Sequence, residues 1–192
     1  RPQTLTINQV EKGKEYALLL STCSGAWRYM IGDVIKFTNV DTAEIIITGR
    51  TKHFLSLCGE HLSVDNMNRA FRLACDEMSV VPGEFCVCGI KHEGLFAHKW
   101  FVGSDKPIDT QKLKDRIDAH LQVLNDDYRV ERTSALKDVL VETIPSALFL
   151  EYLHRKGNVS AQTKFPRVMK GKLLSDWNSL LVEKGYKPVD TW

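Results

Sequence analysis

The hydrophobic period of this chain changes at Arg50, and that change limits the architectures open to it. Before Arg50, apolar residues fall in short runs separated by turn residues, the pattern of strands. Glu15–Thr22 reads as a strand, Ser24-Gly25 as a turn, and Asp33–Thr38 and Ala43–Thr48 as two more strands. Asn39-Val40-Asp41 supplies turn residues between the last two. After Arg50, strand-like runs alternate with helical spacing. His53–Leu57 is a short strand, and Ser63 caps a helix to Met78 carrying Val64, Met67, Phe71, Leu73, Ala74 and Cys75. Glu84–Lys91 and Leu95–Val102 form a hairpin turning at Glu93-Gly94. Asp109 caps a helix through Leu124, with Leu113, Ile117, His120 and Leu121 on one stripe. Val139–Ile144 is a further strand, and Pro145-Ser146 opens a third helix ending at Gly157. A loop at Asn158–Lys172 precedes a terminal helix from Leu173 to Lys184.

Strands paired with covering helices predict an α+β fold, a small mixed sheet with helices packed on it. Residues 1–50 hold too little material for a core of their own, so they read as the β-rich edge of a larger neighbouring domain. The boundary is set at Arg50–Lys52, giving a first segment 1–50 and an α+β domain 51–192. Because the chain opens on Arg1, it is expected to begin inside a longer polypeptide.

Composition excludes several classes. The chain has 192 residues, 43% of them hydrophobic, with 26 basic and 24 acidic residues and a formal net charge of +2. That balance leaves no electrostatic footprint for nucleic acid or an anionic membrane. Neither a membrane span nor a signal peptide is visible. Cys23, Cys58, Cys75, Cys86 and Cys88 form neither an even set nor a Cys-x-x-Cys pair, so buried free thiols in a cytoplasmic protein are expected and no metal site. The six histidines lack metal-ligand spacing, and a satisfied structural histidine is the expectation for each.

Three groups of residues can carry chemistry. Asp33 follows Gly32 at a strand start, where its carboxylate either accepts hydrogen bonds from ribose hydroxyls or satisfies backbone N–H groups as a turn aspartate. Arg50 ends an apolar strand, where its guanidinium meets a phosphate or carboxylate, or forms a surface ion pair. Lys164, Arg167, Lys170 and Lys172 gather near Pro166 and Gly171, as a phosphate-binding loop or as a solvated basic one.

In order and spacing these signals resemble a known family. Trp27-Arg28-Tyr29-Met30-Ile31-Gly32-Asp33 resembles the Tyr-Arg-Tyr-x-x-Gly-Asp motif of the auxin-responsive (Gretchen Hagen) acyl acid amido synthetases. Arg50 through Leu57 is similar to the Arg-x-x-x-x-Leu-Ser-Ile run that follows it there. Lys164-Phe165-Pro166-Arg167 is similar to the family's late Lys-Thr-Pro-Arg motif. That family sits in the adenylate-forming superfamily, whose hinge motif resembles Gly49-Arg50-Thr51-Lys52 followed by Gly59-Glu60-His61-Leu62. Pro166 and Gly171-Lys172 have the Pro-x-x-x-x-Gly-Lys spacing of its last motif. The resemblance covers nearly the whole chain, but only the C-terminal two-fifths of a family member.

The resemblance implies an ATP- and Mg2+-dependent ligase that activates a carboxylic acid as an acyl-adenylate and transfers it to an amine such as an amino acid. It implies that Asp33 holds the ribose, that Arg50 contacts the same nucleotide, and that Lys52 is the hinge. Gly59 would line the path of the acceptor. Lys172 would meet the carboxylate and α-phosphate, with Lys164 and Arg167 competing for that role. ATP and Mg2+ would be held mainly by the N-terminal domain of the same polypeptide, so the chain alone is expected to be inactive. Two alternatives remain: acceptor chemistry on the thiol of CoA, and a non-catalytic interaction module derived from the family.

Overall fold

Three antiparallel strands open the fold, β1 (Glu15–Leu20), β2 (Tyr29–Asn39) and β3 (Glu44–Arg50), in the order β1-β2-β3. The computed structural model describes residues 3–51, 54–157 and 163–189, and of Arg50 and Phe54 only the backbone. Two compact units emerge: one runs to Phe54 and includes Ser63–Asp65, the other comprises Leu55–Leu62 and the chain from Asn66 onward.

In the first unit β2 is longer than the sequence pattern suggests. It begins at Tyr29, so Asp33 lies inside the strand rather than in a turn at its start. The β1–β2 register slips between Ala17 and Leu19, which face Val34 and Met30. Gly32, at φ +89°, sits in that irregular stretch, where the left-handed backbone favours glycine. Among the described residues of this unit only Ile35 and Phe37 are buried. Trp27, Ile46 and Ile47 are 81%, 50% and 67% exposed. Trp27 precedes β2, and Ile46 and Ile47, adjacent on β3, point to opposite faces of the sheet, so apolar surface stays open on more than one side.

The second unit is built on a three-stranded mixed sheet, β6 (Phe85–His92), β7 (Leu95–Gly103) and β8 (Leu136–Ile144), in the order β6-β7-β8. Two short strands precede it, β4 (Phe54–Leu55) and β5 (Leu62–Ser63), which pair with each other. β6 and β7 form the expected antiparallel hairpin, and β8 runs parallel to β7. A parallel neighbour requires a crossover, supplied here by α2 (Thr110–Leu124) and α3 (Asp126–Glu131). Asp109 caps α2 by accepting from the Lys112 N–H at 3.0 Å. α3 has no counterpart in the sequence pattern: it is six residues long, too short for an apolar stripe, and Asn125 caps it through the Tyr128 N–H.

Alternation along β6 and β7 divides the core in two. Cys86, Cys88 and Phe101 point to one face, where Leu148, Phe149 and Tyr152 of α4 (Ala147–Arg155) and Trp177, Leu180 and Leu181 of α5 (Lys172–Glu183) complete the cluster. Phe85 and Trp100 point to the other and stack at 5.1 Å, with Phe71 of α1 (Val64–Glu77) 4.6 Å from Phe85. Leu73, expected on the buried stripe of α1, is instead 38% exposed, and Ala70 takes an inward position. Among the described residues no helix is long and apolar enough to cross a membrane.

Candidate functional site

Asp33 and Arg50, the two residues the sequence offers to a nucleotide, are cross-strand Cα partners on β2 and β3. Strand pairing thus brings together positions that lie apart in the chain. Gly32 beside them accepts the Thr51 N–H at 2.8 Å, which carries the pairing past the end of β3. The Arg50 side chain and Lys52, the expected hinge, lie outside the described residues.

The basic segment near the C-terminus is not a free solvated loop. Phe165 is buried against Phe149, Tyr152 and Trp177, with ring centroids 4.8, 5.4 and 5.5 Å away. Val168 forms a parallel bridge with Val87. The Val87 N–H donates to the Arg167 C=O at 2.7 Å, and the Val87 C=O accepts from the Met169 N–H at 2.8 Å. The segment therefore docks on the open edge of β6. This docking separates the three candidates. Arg167 turns inward: its Nη1 donates to Glu84 and to the Phe85 C=O at 2.9 Å, its Nε donates to Asn68 at 3.1 Å, and its guanidinium covers the Phe85 ring at 4.4 Å. Lys164 is exposed. Lys172, the first residue of α5, is 86% exposed and 3.2 Å from Asp176. A cavity of about 760 Å³ beside the segment is lined by Leu55, Gly89, Met169, Lys170, Gly171 and Leu174, among others.

The loop Leu57–Glu60 holds the most unusual group in the molecule. Glu60 is fully buried, yet its carboxylate has four donors. Leu57 N–H reaches both oxygens at 2.9 Å, and Cys58 approaches Oε2 with its N–H at 3.0 Å and its Sγ at 3.5 Å. His98 Nε2 reaches Oε1 at 2.9 Å. Burial by itself pushes this carboxyl up; the hydrogen bonds from His98 and the two N–H groups outweigh it and hold the carboxyl at about 2. A carboxylate only accepts, so His98 Nε2 carries the proton of this bond. His98 Nδ1 is buried without a hydrogen-bond partner among the described residues.

Neighbouring packing fixes the same loop. His98 faces Gly89 across the β6–β7 hairpin. A Cβ on Gly89 would lie 2.1 Å from Leu57 Cδ2, so the bare glycine is what lets Leu57 lie on the sheet. Gly59 has φ +124°, and a Cβ there would come within 3.2 Å of Glu131 Oε1. Behind His98, the Tyr128 ring lies 5.8 Å away, and its hydroxyl donates to Asp118 at 2.6 Å. Arg132 grips the same carboxylate with Nε and Nη2 at 2.9 and 2.8 Å. Burial raises the Asp118 carboxyl, but the Arg132 and Tyr128 bonds outweigh it and hold it below the usual range.

Sequence reasoning singled out Gly59 but missed Glu60 and His98. A histidine at an inward position of β7 was the available signal, since its neighbours Trp100 and Val102 on that face are apolar. The cysteines also depart from expectation. Cys75, Cys86 and Cys88 are buried as expected, but Cys23 is exposed and Cys58 half-buried. Among the described residues no group of three or more His, Cys, Asp or Glu could hold a metal ion.

Residues 1–50 match the GH3 family central domain, and residues 65–172 match the GH3 family C-terminal domain. No curated protein matches the chain. Among solved structures, the fold is similar to a GH3.15 acyl acid amido synthetase, with a TM-score of 0.72 and 18% identity over 96% of this chain and 34% of that one. It is also similar to an AtGH3.15 acyl acid amido synthetase in complex with 2,4-DB, with a TM-score of 0.69 and 16% identity over 97% of this chain and 35% of that one. The chain thus spans about a third of the length of these structures. Two family domains in the expected order, on the α+β fold of solved amido synthetases, lead to one conclusion: this chain belongs to the GH3 family.

Proposed function

We propose that this chain is the C-terminal part of an ATP-dependent acyl acid amido synthetase. One observation carries the proposal: central and C-terminal GH3 domains follow one another along the chain, and the solved structures that share its fold bear that enzyme name. In the first step a carboxylate oxygen of the acid attacks the α-phosphorus of ATP. The bond to the β-phosphate breaks, and pyrophosphate leaves with its electron pair. In the second step an amine nitrogen attacks the acyl carbon, the bond to AMP breaks, and the amine gives up a proton to form the amide.

Asp33 holds the ribose hydroxyls, and Arg50, its cross-strand partner, contacts the same nucleotide. Lys172 neutralises the charge that builds on the phosphoryl oxygens; its exposed ammonium at the head of α5 is able to approach a substrate. Lys164 is the second candidate for that task. Arg167, already bonded to Glu84, Asn68 and Phe85, serves it by holding the segment on β6. Lys52 is the hinge between two conformations, and the Gly59 loop faces the acceptor in the second. Mg2+, the acid pocket and most of the nucleotide contacts belong to the part of the relatives' length outside this chain. The N-terminal domain of the same polypeptide is the partner for the exposed apolar residues of the first unit, Trp27 and Ile47 among them, and the chain by itself is inactive. The protein works in the cytoplasm.

Pyrophosphate release from ATP by the full-length protein, measured across a broad panel of carboxylic acids, tests this function. Release with at least one acid supports it, and none with any acid overturns it. Micromolar binding of ATP to the isolated chain in calorimetry would overturn the assignment of most nucleotide contacts to the part outside this chain.

A further inference from the structure

We infer that Glu60 and His98 are a positioning pair that fixes the Leu57–Gly59 loop for acyl transfer to the amine, while leaving acid activation to other residues. This role rests on the function proposed above and gives the second step a structural determinant.

A buried carboxylate is expensive to desolvate, and an apolar side chain of similar volume would stabilise a core at least as well. Glu60 is fully buried all the same, so its charge is tied to something a leucine cannot do. What it does is visible in its partners. Two of its four donors are consecutive backbone N–H groups of its own loop, Leu57 and Cys58, and a third is His98 on β7, which shares Oε1 with the Leu57 N–H. The carboxylate therefore ties a loop backbone to the sheet. Leu57 on the bare Gly89 pins the same loop, and the Asn125 side chain, donating to the His61 C=O at 3.4 Å, holds the residue that follows Glu60.

The result is a loop held in one conformation, with the Cys58 N–H and thiol both turned to Glu60. Gly59 carries no side chain at φ +124°, and Cys58 is half-buried. Its thiol is held protonated, since burial and the Glu60 charge push it up to about 12. The Glu131 carboxylate lies beside both residues, so the loop offers an approaching amine a bare glycine, a protonated thiol and one acidic group. Positioning at this level matters because a displacement of about 1 Å in a reacting group can cost on the order of 100-fold in rate.

Two half-reactions of the full-length protein separate this role from general stability. ATP–pyrophosphate exchange with a competent acid reads activation alone, and amide formation with an amino acid reads both steps. Glu60→Gln keeps the volume but offers one acceptor oxygen where the carboxylate has two. The expected result is exchange within about 3-fold of the parent protein and amide formation reduced by at least about 10-fold. Gly89→Ala, which forces Leu57 off the sheet without altering any charge, is a second route to the same split. Leu180→Ala, in the opposite core cluster, controls for destabilisation and leaves the ratio of the two rates unchanged. Equal loss of both rates in Glu60→Gln and Gly89→Ala, or loss of neither, overturns the inference. A parent protein without exchange overturns the function itself and the inference with it.

Discussion

Glu60 and His98, 38 residues apart in the chain, meet at 2.9 Å with both side chains fully buried. This contact makes the stability of the second unit depend on pH in a definite direction. Glu60 stays ionised in the folded state down to about 2, against an ordinary value of 4.5, so the unfolded state binds more protons between these limits. Its stabilisation is complete above about pH 4.5 and is lost as pH falls towards 2. The lowered carboxyl of Asp118 acts in the same sense. For Glu60 the loss is on the order of 3 kcal/mol for a fall from 4.5 to 2. Denaturant unfolding measured against pH should show this slope, and Glu60→Gln should flatten it; an unchanged slope contradicts the assignment.

Arg167 and Lys172 sit on one basic segment but should respond to mutation in different ways. Arg167→Lys breaks the fork that reaches Asn68, Glu84 and the Phe85 C=O, and should cost about 1–3 kcal/mol of stability. Lys172→Ala removes only an exposed ion pair with Asp176 and should change stability by less than about 0.5 kcal/mol. In the full-length protein, Lys172→Ala should instead slow pyrophosphate formation by about 100-fold or more. Thermal melts and ATP–pyrophosphate exchange on the two variants check both halves. Full exchange in Lys172→Ala with loss in Lys164→Ala would move the phosphate role to Lys164.

Gly89→Ala should destabilise the second unit by about 1–3 kcal/mol, because its methyl would meet Leu57 Cδ2 at 2.1 Å and the leucine must leave its seat. Gly94→Ala is the control. Gly94 has φ +81°, and a methyl group there would meet nothing within 4 Å, so the variant carries only the backbone penalty of about 1 kcal/mol. A melt in which both variants lose equally would remove the packing role of Gly89.

Cysteine labelling gives an independent check of the loop. Cys23 is exposed, whereas the half-buried Cys58 thiol is pushed up to about 12 by burial and by the adjacent Glu60 charge. Because the thiolate is the reactive form, iodoacetamide under mildly alkaline conditions should modify Cys23 first and Cys58 much more slowly. Mass spectrometry of the native protein resolves the order. Glu60→Gln should speed modification of Cys58.

The elements were legible where one physical signal dominated. Alternation marked the β6–β7 hairpin and its turn at Glu93-Gly94, and the stripe of Leu113, Ile117 and Leu121 with the Asp109 cap marked α2. α3 was not legible, since a six-residue helix shows too little periodicity. The site was legible only where its residues are close in sequence. Gly32-Asp33 and Gly49-Arg50 could be named, and pairing of β2 with β3 sets Asp33 opposite Arg50. Glu60 and His98 could not be paired beforehand, because only the packing of the loop on β7 brings them together. Arg167 looked like its cationic neighbours, and its inward turn follows from the docking of Val168 on Val87.

Amide synthesis is tested most directly by the product. The full-length protein, given ATP, an acid that supports pyrophosphate release, and both amino acids and CoA together, should yield an N-acyl amino acid and one AMP per amide by mass spectrometry. Acyl-CoA in place of the amide, or no acyl product at all, would contradict it.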